Sequence, residues 1–348
     1  MGQEENKDNQ IQQEQNQQNQ DDYPIFDEKV LTDTFQTIWE QENSILSCRF
    51  SNDDHNIAIG QQNNNIRIFN TKELKTVCEL KDQETQAACM AVRWCPDGNI
   101  KNCLLSAYTN GTVIYWHTTS NKVLYRYEDD ENPINAIDIS QSGTHFATGG
   151  NDGLIRLYDI GKKSKPVVFQ ASEKAPLHSN RVYGLKYDKN NPNLLLSGGW
   201  DNTIILWDTR THQSEGFIGG PRIFSDSFDI KDNLLLTGSW RNDHQLELYD
   251  LRKLKKVRDI NWENFTYNKK KDSQIYCCQF SKLNPDQILA GCSGTNEIRV
   301  FDASQDYKLV DIFKQDINSA VYCLDIAKTS NVCAYGDADG QFGLLNIN

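Results

Sequence analysis

No apolar run in this chain approaches the length needed to span a membrane, and no apolar segment follows a basic start of the kind that directs secretion. Gly2 follows Met1, but Asn6 stands where an N-myristoylation motif wants Ser or Thr, so no lipid anchor is expected. The ten cysteines (Cys48, Cys78, Cys89, Cys95, Cys103, Cys277, Cys278, Cys292, Cys323 and Cys333) include no Cys-x-x-Cys pair, and the six histidines are scattered without Cys at metal-ligand spacing. Without a secretion signal, these thiols read as reduced, small core residues. A Gly-rich phosphate loop, a His-Glu-x-x-His zinc motif and a nucleophile elbow are all missing. Positive charge is in deficit. Lys and Arg number 36 against 48 Asp and Glu, a net charge of −12, which argues against wide contact with nucleic acid or anionic lipid but leaves room for a local basic patch. The expectation is a chain that is not an enzyme and needs no metal or cofactor.

What is present is a repeat. Leu194 to Asp208, LLLSGGWDNTIILWD, reads as two short strands around a tight turn: an apolar run Leu194 to Ser197, the small Gly198 and Gly199, turn residues Asp201-Asn202-Thr203, then Ile204 to Trp207. The unit recurs, closed each time by a large apolar or aromatic residue: Phe69, Trp116, Tyr158, Trp207, Tyr249, Phe301 and Leu345. The gaps run from roughly 42 to 52 residues, the period of propeller blades of four strands each. Seven copies predict an all-β, seven-bladed propeller over residues 34–348, preceded by a low-complexity tail, residues 1–30. That Asn/Gln-rich tail has little to bury and is expected to be disordered alone, either passive or ordered by a partner.

The fourth copy predicts strands over Val182 to Tyr187, Leu194 to Ser197, Ile204 to Trp207 and Glu215 to Gly219; the third over Ile134 to Ile139, His145 to Gly149, Ile155 to Tyr158 and Val167 to Gln170. The fifth and sixth copies are looser. The seventh supplies only three runs, Val321 to Ile326, Val332 to Tyr335 and Phe342 to Asn346. A three-stranded blade leaves an unpaired edge, and the orphan run Thr34 to Trp39 is the fourth strand expected to close it.

The chain resembles the WD-repeat family of β-propellers over about residues 34–348. The resemblance is carried by Trp207-Asp208, by its looser versions Tyr158-Asp159, Tyr249-Asp250 and Phe301-Asp302, and by a small residue before each turn: Gly60, Ala107, Gly149, Gly198, Gly238, Gly291 and Gly336. In that family a His, a Ser or Thr, an Asp and the Trp often link one blade, and His178, Ser197, Asp201 and Trp207 match residue by residue. The resemblance implies a buried polar chain that fixes strand register. Only the fourth copy keeps all four residues.

His178, Ser197 and Asp201 also have the composition of a catalytic triad, but Ser197 lies within a strand rather than on a sharp exposed turn, so a structural lock is expected. Asp337-Ala338-Asp339-Gly340 imitates the start of a calcium loop without its closing Glu and with Gly340 at the wrong step. The informative surface is the mouth of the ring. Its first-strand positions read Leu46, Met90, Asn135, Tyr183, Asp226, Tyr276 and Tyr322, and Trp200 and Trp240 precede the turns of neighbouring copies. Tyr, Trp and Arg dominate binding energy at interfaces, so Tyr183, Trp200, Asp226, Trp240, Arg241, Tyr276 and Tyr322 form the expected partner-binding face; the alternative is that both indoles fold onto loops and stiffen them. The basic run Arg252 to Lys256, with Lys269, Lys270 and Lys271, reads as solvated loop or as a contact for an acidic cytoskeletal surface or nucleic acid. The function expected is a non-catalytic scaffold within a larger protein assembly. The expected partners are other proteins, with a cytoskeletal assembly as an alternative, no membrane, and nucleic acid disfavoured. The expected location is cytoplasmic, with the cilium as an alternative.

Overall fold

The structure, a computed structural model, describes residues 36–39, 43–96, 102–129, 132–262, 272–315 and 317–347. The tail 1–30, residues 34 and 35 of the expected closing strand, and Lys269, Lys270 and Lys271 lie outside them. Within Asp33–Asn348 the strands form seven four-stranded antiparallel sheets. Helix among the described residues is limited to the 3-10 turns Thr118–Ser120 and Ala303–Gln305, and none is long and apolar enough to cross a membrane.

The first strands of the blades are Ile45–Phe50, Cys89–Trp94, Ile134–Ile139, Val182–Tyr187, Phe228–Lys231, Ile275–Phe280 and Val321–Ile326. Each packs against the next and the last packs against the first, so the seven sheets close a ring. Sequence pattern explains the layering. The three inner strands of a blade are buried on both faces, as in Leu194–Gly199 and Thr203–Asp208. The outer strand Gln213–Gly219 alternates strictly between exposed and buried residues, because one side meets solvent.

Small residues before the turns permit the blades to approach. A Cβ at Gly198 would come within 2.6 Å of Ile223 Cγ1, and one at Gly336 within 2.4 Å of Ile45 Cγ2, so the first apolar residue of the following blade occupies the space a side chain would need. The Gly336–Ile45 contact joins blade seven to blade one. Phe69 and Phe342 stack across the same boundary at 5.4 Å. In blade seven, Gln36–Trp39 pairs antiparallel with Gln341–Asn346, from Gln36 opposite Leu344 to Trp39 opposite Gln341.

Two sequence expectations shift. The outer strand of blade three is Val167–Val168, shorter than the Val167 to Gln170 expected. Phe169 leaves the edge and is fully buried, stacked 5.6 Å from Trp207 of blade four. Blade five begins its first strand at Phe228, beyond Asp226, with consequences for the mouth described next.

Candidate functional site

Six of the seven first strands carry a bulge at their second residue: the register slips between Ile45 and Ser47, Cys89 and Ala91, Ile134 and Ala136, Val182 and Gly184, Ile275 and Cys277, and Val321 and Cys323. The skipped residues are Leu46, Met90, Asn135, Tyr183, Tyr276 and Tyr322. A bulge frees a residue from the ladder and re-aims its side chain, which is how the sequence delivers these positions to the mouth.

On blades four to seven the mouth is aromatic and continuous. Trp200 and Trp240 lie 5.7 Å apart; Phe224 contacts Trp200 at 6.0 Å, Trp240 at 6.2 Å and Tyr183 at 4.6 Å. Tyr183 meets Trp200 at 5.8 Å, Tyr276 presents its ring edge-on to Phe224 at 5.1 Å, and Tyr322 follows Tyr276 at 5.0 Å. Tyr183 is buried, while Trp200, Phe224, Trp240, Tyr276 and Tyr322 are half-buried. Offset and edge-on pairs of this kind add to the value of area burial alone. The Arg222 guanidinium lies over Trp200, 5.7 Å from its centroid.

Five of the seven residues expected at the face are therefore brought together. Asp226 is not among them, and this is a correction. Two extra residues in the loop before blade five move the pattern: Ile223 packs against Gly198 as the first apolar residue does elsewhere, and Phe224 takes the mouth position. Ser225 adopts a left-handed backbone (φ 61°), and Asp226 turns into the channel. There it pairs with Arg49 and, at 2.7 Å, with Arg93. Burial pushes its carboxyl up, but Arg49, Arg93 and Lys186 outweigh that and hold it down at about 2. Arg241 also stands outside the ring contacts. Its guanidinium donates to Gly220 O at 2.5 Å and pairs with Asp243 at 3.1 Å. Phe224 and Arg222 were missed in the sequence; a large apolar residue directly after the Ile that faces Gly198 was the available signal.

Three residues further along the same first strands, at Arg49, Arg93, Asp138, Lys186, Gln279 and Asp325, lies a ring of polar and charged groups, joined by Asp229 and Lys282. Arg93 reaches Asp138 at 3.2 Å, Lys186 reaches Asp229 at 2.9 Å, and Lys282 reaches Asp325 at 2.7 Å. The acids also cap the following blade: Tyr187 N donates to Asp138, Phe280 N to Asp229 and Phe50 N to Asp325, at 2.7, 3.0 and 2.9 Å. Gln279 repeats the device, accepting from Ile326 N at 2.9 Å. These groups are spent on one another and on the backbone.

The blade-four constellation is closed as well. Nδ1 of His178 lies 2.9 Å from Asp201, Nε2 lies 2.6 Å from Ser197 Oγ, and Trp207 Nε1 donates to the same oxygen at 2.7 Å. Burial pushes the Asp201 carboxyl up, and the bonds from His178, Thr203 and Ser179 N more than offset it, leaving it lowered. The His178 side chain is wholly buried, so no substrate reaches Ser197 Oγ in this arrangement. Blade two keeps a reduced version, with Trp116 Nε1 donating to Ser106 at 2.8 Å.

The basic run is compensated locally. Arg252 pairs with Asp250 at 3.0 Å, and Lys256 with Glu247 at 3.2 Å and Asp259 at 3.0 Å. His244, Glu247 and Asp259 bring one potential metal-ligand atom each within 4.8 Å of one another, but the Lys256 ammonium already contacts both carboxylates.

A family model described as "WD domain, G-beta repeat" matches residues 121–159 and 174–208. Two stretches of the chain thus match WD repeats, within a seven-bladed β-propeller. Among curated relatives of this propeller, "Anaphase-promoting complex subunit cdc20" of Dictyostelium discoideum is 26% identical over 176 residues, 49% of this chain and 33% of that protein. "Spindle assembly checkpoint protein bub3" of Schizosaccharomyces pombe is 25% identical over 181 residues, 52% of this chain and 51% of that protein. "Nuclear pore complex protein nup43" of Dictyostelium discoideum is 28% identical over 182 residues, 50% of this chain and 39% of that protein. The propeller thus aligns with about a third to a half of each relative's length.

Proposed function

We propose that this propeller is a non-catalytic scaffold, a subunit of a larger protein assembly, that grips a partner protein through the aromatic mouth of blades four to seven. The observation that carries this reading is the half-buried cluster of Trp200, Phe224, Trp240, Tyr276 and Tyr322, assembled from four separate blades. Large rings held rigid by one another lose little entropy when covered, which is the character of an interface hot spot. The printed names of the relatives support the class, since two of the three compared name a complex. The charged channel gives no support to a ligand site, because its acids and bases compensate each other.

The test is quantitative affinity purification of the full chain and of Trp200→Ala/Trp240→Ala from the same cells. The double variant should lose its stoichiometric partners while remaining folded, with a melting temperature only a few degrees below wild type. Unchanged recovery would remove this face as the binding site.

A further inference from the structure

The mouth has a polarity that narrows what can cover it, and this step rests on the proposed binding role of the face. Three N–H groups gathered there have no acceptor among the described residues: Nε1 of Trp200, Nε1 of Trp240 and Nε of Arg222. All three are donors. A donor buried without a partner forfeits its hydrogen bond to water, so the closed cluster is less favourable than one in which an acceptor arrives and the rings turn to meet it. Around these groups the outward charge is positive. Arg222 lies over Trp200, Arg241 is held beside Gly220, and Arg181 is exposed on the segment whose carbonyl accepts the Trp200 backbone N–H.

The carboxylates of the same two blades point elsewhere. Asp201 is taken by His178, Ser179 and Thr203. Asp226 is taken by Arg49 and Arg93 in the channel. Asp243 remains at the rim, paired with Arg241. In a chain of net charge −12, a neighbourhood in which Arg181, Arg222 and Arg241 face Asp243 and Asp272, the latter held by Asn242, is a local reversal of sign. A partner bringing Lys or Arg would set donors against donors, whereas carboxylates complement the indoles and guanidiniums.

We propose that the mouth takes an acidic protein segment: an apolar or aromatic side chain lies on the Trp200, Phe224 and Trp240 rings, and flanking Asp or Glu side chains accept from the Trp and Arg222 N–H groups. The loop 220–227 would then serve both regions, sending Arg222 and Phe224 to the partner and Asp226 to the channel.

The experiment uses the full chain and three fluorescein-labelled synthetic peptide pools of roughly a dozen residues. All share the same Leu and Phe anchors; the remaining positions are Asp/Glu, Asn/Gln or Lys/Arg. Binding is read by anisotropy at low and at physiological salt. The Asp/Glu pool should bind at least about tenfold more tightly than the Asn/Gln pool, and the Lys/Arg pool most weakly. Arg222→Gln should lower affinity for the acidic pool about tenfold and close its gap to the neutral pool, with Arg222→Lys between the two. Wild-type melting temperatures establish that these variants fold. If the neutral or basic pool binds as tightly as the acidic one and loses affinity in Trp200→Ala/Trp240→Ala, the face binds but the acidic segment is wrong. If no pool depends on the two Trp residues, the binding role of the face fails, and the acidic segment falls with it.

Discussion

The mouth and the channel are built from the same strands, three residues apart, and they treat polar groups in opposite ways. Leu46 precedes Arg49, Met90 precedes Arg93, Asn135 precedes Asp138, Tyr183 precedes Lys186, Tyr276 precedes Gln279 and Tyr322 precedes Asp325. In the channel Arg49, Arg93, Lys186 and Lys282 each meet a carboxylate, and Asp138, Asp229 and Asp325 also cap a neighbouring strand. At the mouth the indoles of Trp200 and Trp240 hold N–H groups with no acceptor among the described residues. The ion pairs of the channel belong to the architecture; the mouth N–H groups are the ones set among half-buried aromatic rings that a partner could cover.

The contrast can be broken most forcefully at Asp226. Replacing it with Ala leaves Arg49 and Arg93, both largely buried, without their shared counter-charge, and urea denaturation should show a loss of about 3–5 kcal/mol. A loss below about 1 kcal/mol would mean that water already screens the channel and that its network is not structural. Next comes blade four. His178→Ala strands Asp201 and Ser197 in a buried site, and the same measurement should register about 3 kcal/mol.

Acid titration sharpens the channel side further. The Asp226 carboxyl is depressed to about 2 in the folded chain, against roughly 4 when unfolded. A depressed carboxylate contributes stability that is complete above the unfolded value and is lost as pH falls through the folded one. The stability gap between wild type and Asp226→Ala should therefore be constant above about pH 5 and shrink by roughly 2 kcal/mol between about pH 4 and pH 2. The smallest stability change is expected at the mouth. Trp200→Ala/Trp240→Ala should cost at most about 1–2 kcal/mol in urea, because the rings pack mainly on one another, yet it should abolish partner recovery.

The repeat period and the small residues before the turns make the seven blades legible in the sequence, because each stands where the next blade's first apolar residue must fit, as Ile223 does at Gly198. The blade-four chain was equally readable, since four polar residues at the right spacing had few other uses. Blade five was not. Its two-residue insertion breaks the count between Ile223 and Phe228, so the repeat pattern alone sends Asp226 to the mouth and passes over Phe224. An insertion changes which side chain faces the channel without altering composition or period, and only the packing of Ile223 against Gly198 restores the alignment. Arg222 is hidden for a related reason: its role depends on lying over Trp200, 22 positions earlier in the chain, a proximity produced by the loop between blades four and five folding back onto the blade-four turn rather than by local pattern.

The same substitution made in the two settings decides the matter. Trp207→Phe removes an N–H that Ser197 accepts in a sealed core, and the urea midpoint should fall by the equivalent of about 2–3 kcal/mol. Trp200→Phe/Trp240→Phe removes two N–H groups that no described residue accepts, and stability should stay within about 0.5 kcal/mol of wild type. If the double variant instead falls as far as Trp207→Phe, the mouth indoles are struts of the fold, and the division between a finished channel and a waiting face is wrong.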